Sequence, residues 1–147
     1  MNPIIGPFKR ALFDSDMVMT RVLLACSELV WFALLMYPSD AALFDRPTYK
    51  MMSHVMQQEA WAALFLITGV LQLTIVAQED FHGQFARYFA AWNACLWVFV
   101  VGSCFLSISP PPAAMSGEII LAVVAFWVWL RPFIIREGIL YARSRRV

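Results

Sequence analysis

A carboxylate, two guanidinium groups and two carboxamides, Glu28, Arg21, Arg131, Gln72 and Asn93, fall inside stretches of sequence that are otherwise apolar. Such a set can hold a proton, an ion or an anionic headgroup, and it can equally tie helices together through hydrogen bonds. Of these two uses, interhelical packing is favoured. Glu28 follows Arg21 by seven residues, close to two helical turns, so both project from one helix face. An unpaired charge at mid-bilayer costs at least about 2.5–3.5 kcal/mol, so Glu28 has to pair, protonate or face water. Arg131 is the expected partner, because its long side chain can rise toward mid-bilayer. Arg21 is expected to reach back to the headgroups. Counted from the expected span ends, Arg21, Gln72, Asn93 and Arg131 each lie roughly four to six residues in, or about 6–9 Å below one boundary. That spacing predicts a single polar layer to which four helices contribute.

The elements that must carry these groups follow from composition and from where charge is missing. The chain has 147 residues, 61% hydrophobic and 14% charged, with mean hydropathy +0.67. A soluble domain carries about 45–50% apolar and about 25% charged residues. Disorder is excluded by the high hydrophobicity, and a net charge of +1 without a basic stripe argues against nucleic-acid binding. Glu59 and Glu79 bracket 19 residues without Asp, Glu, Lys or Arg, and Arg87 and Glu118 bracket 30, broken by Ser109-Pro110-Pro111-Pro112. A helix needs about 20 mostly apolar residues to cross a bilayer. The reading is an all-α integral membrane four-helix bundle, one domain over 1–147, with spans at 17–37, 59–78, 86–107 and 117–137. Runs such as Leu64-Phe65-Leu66-Ile67 do not alternate, which argues against barrel strands.

With both termini on one side, Lys9, Arg10, Arg21, Arg87, Arg131, Arg136, Arg143, Arg145 and Arg146 collect there, and only Arg46 and Lys50 lie opposite. This bias predicts an inner (plasma) membrane protein with both termini cytoplasmic. Arg136, Arg143, Arg145 and Arg146 are expected to anchor the tail on anionic headgroups. The amphipathic segment Met1–Asp16 is expected to lie on the membrane surface before the chain turns into the first span, which is read as uncleaved. Met51, Met52, Val55 and Met56 predict a helical approach to the second span. The short Gln78–Gln84 connection predicts that the second and third spans are antiparallel neighbours. Ala90, Ala91 and Ala94, with Ala122 and Ala125, offer close helix approach, whereas Gly69 and Gly102 are isolated.

Cofactor chemistry finds little support. Cys26, Cys95 and Cys104 lie within spans without a CxxC pair and read as buried small residues. His54 with Glu59, and His82 with Glu79 and Asp80, lack the ligand number of a zinc site. The two histidines fall on opposite sides of the membrane, so they cannot hold a haem between them within one chain. No phosphate loop or nucleophile motif is present. The expectation is a non-enzymatic bacterial or phage membrane protein without a cofactor, working by helix association as a homo-oligomer or as an accessory subunit of a membrane complex. A phage holin-type pore- or lesion-forming protein is the alternative. A proton or ion channel using Glu28 is a third.

Overall fold

The computed structural model describes residues 5–37, 43–78, 83–108 and 115–144, with side chains from 17–37, 44–78, 83–108 and 115–134. The described residues are helical: α1 (Ile5–Met36), α2 (Lys50–Val55), α3 (Gln58–Ala77), α4 (Gln84–Ser107) and α5 (Ser116–Ser144), with two short 3-10 turns at Leu43–Asp45 and Pro47–Tyr49. Four of them are long and apolar enough to cross a membrane, over Met17–Met36, Gln58–Ala77, Gln84–Ser107 and Ser116–Ile134. The four expected spans thus match these apolar stretches to within a few residues at each end.

Two boundaries differ from expectation. The backbone does not turn between the amino-terminal segment and the first span; α1 runs as one helix of 32 residues. Nothing between Lys9 and Met36 breaks it, since that stretch holds no Gly or Pro. At the other end α5 continues to Ser144 with Pro132 inside it. Proline removes one backbone donor, a loss that spanning helices tolerate when neighbouring groups satisfy the freed carbonyl.

The helices pair unequally: α1 packs most closely on α3, and α4 on α5. The second and third spans are antiparallel neighbours as expected, but their backbones stand further apart than those of the other two pairs. Large rings explain it: Trp61 stacks on Phe99 at 5.7 Å and Phe65 lies 5.8 Å from Trp97, so α3 and α4 meet through aromatic side chains. Small residues set the closer pairs. A Cβ at Gly69 of α3 would sit 3.1 Å from Leu29 Cγ and 3.3 Å from the Ala25 carbonyl oxygen of α1. Ala90 and Ala94 of α4 and Ala125 of α5 are likewise buried in the common core.

One end of the bundle is tied by side chains that serve backbone groups. Gln58 Nε2 donates to the Leu35 carbonyl at 2.6 Å, satisfying one of the orphan acceptors at the end of α1. Trp61 Nε1 donates to the Met52 carbonyl at 3.0 Å, which holds α2 onto α3. Ser107 Oγ accepts from the Met51 N–H at 3.2 Å and fixes the start of α2 to the end of α4. The expected helical approach is thus present, with Met52 fully buried.

Candidate functional site

Glu28 and Arg21 project from one face of α1, and both are buried, Glu28 completely and Arg21 at 1% exposure. Each meets α4 at the same offset. Arg21 Nη2 donates to the Ala86 carbonyl at 3.4 Å, and Asn93 Nδ2 donates to Glu28 Oε1 at 2.6 Å, each pair separated by 65 positions. A constant difference means that α1 and α4 run parallel and in register. Against α3 the pairing is antiparallel: Arg21 Nη1 donates to Gln72 Oε1 at 2.9 Å, and further along α1 Trp31 stacks on Phe65 at 5.4 Å.

The polar residues therefore form two levels. Arg21, Gln72 and the Ala86 carbonyl make the first. Glu28, Asn93 and Trp97 make the second, about 10 Å further along at 1.5 Å of rise per residue. The expected single layer is corrected here. Asn93 does not share the depth of Arg21, because the register places Ala86 opposite Arg21 and leaves Asn93 two turns higher.

Two further expectations change. Arg21 does not reach back to headgroups: it is buried, and its guanidinium bonds to Gln72 and to a backbone carbonyl inside the bundle. Arg131 is buried on α5, at 6% exposure, and has interactions of its own, but the Glu28 carboxyl bonds to Asn93 instead. The register brings the Asn93 amide to the carboxyl directly, within hydrogen-bond distance.

Among the described residues, the second oxygen of Glu28, the Asn93 Oδ1 and the Trp97 indole N–H find no hydrogen-bond partner. Above them the core is aromatic. Trp31, Phe65 and Trp97 contact one another with centroids 5.4–6.4 Å apart, and Tyr49 closes edge-on against Trp31 at 5.4 Å. Trp97 is a neighbour of Glu28 that the sequence reading did not single out; the cue is that Asn93 and Trp97 stand one turn apart on α4. Thr68, also buried, bonds to the Leu64 carbonyl of its own helix at 2.7 Å.

The remaining candidates lie apart from this core. Cys104 is buried, but Cys26 and Cys95 face outward, contrary to their reading as buried residues. His54 and Glu59 are exposed, and among the described residues no three His, Cys, Asp or Glu side chains gather into a metal site. His82, Glu79, Asp80, Arg145 and Arg146 lie outside the described residues, and Arg136 and Arg143 are described only as backbone of α5. At the opposite end from Arg21, burial, followed by the nearby Glu118 carboxylate, pushes the Tyr49 hydroxyl up to about 12.

These features define a helical bundle with four candidate membrane-spanning helices and a two-level polar interior. No family model matches the chain, and no curated protein or solved structure matches it either.

Proposed function

We propose that the chain is a polytopic inner-membrane protein, both termini cytoplasmic, that acts by helix association as a homo-oligomer or as an accessory subunit of a membrane complex. The observation that carries this is the use made of the buried polar groups. Arg21, Gln72, Glu28 and Asn93 bond to one another between helices, beneath a closed cluster of Trp31, Phe65 and Trp97. That arrangement favours packing over passage of an ion, since these groups bond across the helices and Trp31, Phe65 and Trp97 close ring against ring beyond them. The outward side of α5 supports the second half of the reading: Ile120, Val123 and Trp127 are exposed there and present an apolar face to lipid or to another subunit. The nine-to-two distribution of Lys and Arg supports the orientation.

Purification in a gentle detergent followed by mass determination tests the proposal. The expected result is a multiple of 16.8 kDa, or a complex with other membrane subunits. A lone chain whose expression arrests growth abruptly and releases cytoplasmic enzymes would replace it with the holin-type reading.

A further inference from the structure

A groove runs along the outer seam of α4 and α5, formed by two adjoining cavities of about 180 Å³ and about 360 Å³ that share Ala91 and Trp129. Its floor on α4 is made of small side chains, Ala91 and Cys95, ending at Val98. Its wall on α5 is a ladder of rings: Phe126 lies 5.3 Å from Trp129, and Trp129 lies 5.8 Å from Phe133. Small residues facing large ones leave a slot that the helices cannot close, because Ala90, Ala94 and Ala125 already set their separation on the buried side.

The slot is graded along its length. Arg87 and Tyr88, both exposed, stand at the end where α4 begins, and the lining beyond Ala91 is apolar. From Ala91 to Val98 the apolar part covers about 10 Å at 1.5 Å per residue, within one leaflet of a hydrocarbon core about 30 Å thick. We infer that this groove binds one anionic phospholipid, with its phosphate at Arg87 and Tyr88 and an acyl chain lying between Ala91, Cys95 and the Phe126–Trp129 wall. A cation at the boundary with an apolar slot beneath it matches an amphiphile of that charge. A transmembrane helix of a second copy would need a seam crossing both leaflets, and this one ends at Val98.

The inference rests on the reading that the chain is inserted in a bilayer, so the test separates the two. Alkaline carbonate washing reports insertion, and native mass spectrometry of the full chain from vesicles of phosphatidylglycerol and phosphatidylcholine in equal amounts reports retained lipid. The expected result is one retained phosphatidylglycerol. Arg87→Gln is expected to lower the preference over phosphatidylcholine about fivefold, the equivalent of about 1 kcal/mol for one basic residue at an anionic surface. Ala91→Phe is expected to abolish retention while the chain stays in the washed membrane; Cys95→Phe, on the exposed side of the same slot, serves if Ala91→Phe fails to fold. Ala63→Phe, on the exposed side of α3, is expected to retain the lipid. Equal retention of both lipids, retention unaffected by the groove-filling variants, or a dimer that those variants dissociate would each overturn the inference. Release of the wild type by carbonate would instead overturn insertion itself.

Discussion

Glu28 on α1 and Asn93 on α4 are joined by a 2.6 Å hydrogen bond between parallel helices, and Arg21 meets Ala86 at the same offset of 65 positions one level away. Two contacts at one offset fix both the direction and the register of α1 against α4. The bundle is then completed by antiparallel packing of α3 on α1 and of α5 on α4.

Gln72 supplies an acceptor to Arg21 inside the bundle, beside the Ala86 carbonyl. Gln72→Leu removes it from a buried cation, and leaving such a group short of a partner costs about 1–3 kcal/mol. Gln72→Glu keeps an acceptor and is expected to retain most of the stability. Reversible unfolding in bicelles, comparing the two variants with the wild type, measures the difference.

Gly69 of α3 and Gly102 of α4 should respond in opposite ways. Gly69→Leu forces a side chain against Leu29 and the Ala25 carbonyl and is expected to destabilise by about 1–3 kcal/mol. Leu29→Ala should recover part of that loss. Gly102 has open space where a Cβ would stand, so Gly102→Ala is expected to stabilise by about 0.5–1 kcal/mol through helix propensity. The same unfolding measurement reports both.

The Tyr49 hydroxyl has its value raised from 10.0 to about 12, chiefly by burial and then by Glu118. A raised value on a group that is neutral when protonated means that the folded state resists its ionisation. The contribution to stability is therefore complete below pH 10 and is lost as pH rises through about 12. Of the 4 tyrosines, one should form phenolate late in an ultraviolet absorbance titration. Tyr49→Phe should delete that late step, and Glu118→Gln should move it to lower pH.

Much of the architecture was legible because charge is so scarce. Each long gap between ionisable residues became a helix, and the seven-residue step from Arg21 to Glu28 placed both on one buried face, as the spacing requires. The helical approach at Met51 and Met52 was legible for a similar reason, a change from polar loop to periodic apolar residues. What could not be read was how the helices slide along one another. Depth counted from span ends put Asn93 level with Arg21, whereas the contacts Arg21–Ala86 and Glu28–Asn93 set α4 so that Asn93 stands two turns away. The acceptor that buries Arg21 is partly a backbone carbonyl, which no side-chain pattern reveals. Arg131 has a side chain long enough to rise toward Glu28, but the Asn93 amide makes the bond.

The claim on which all of this turns is that Glu28 and Asn93 hold α1 and α4 in register. A double-mutant cycle with Glu28→Ala, Asn93→Ala and the pair, read by reversible unfolding in bicelles, tests it most directly. The predicted coupling is about 0.6 kcal/mol, and up to about 1.7 kcal/mol, the range found for hydrogen bonds between membrane helices. Single substitutions whose effects simply add would contradict the account.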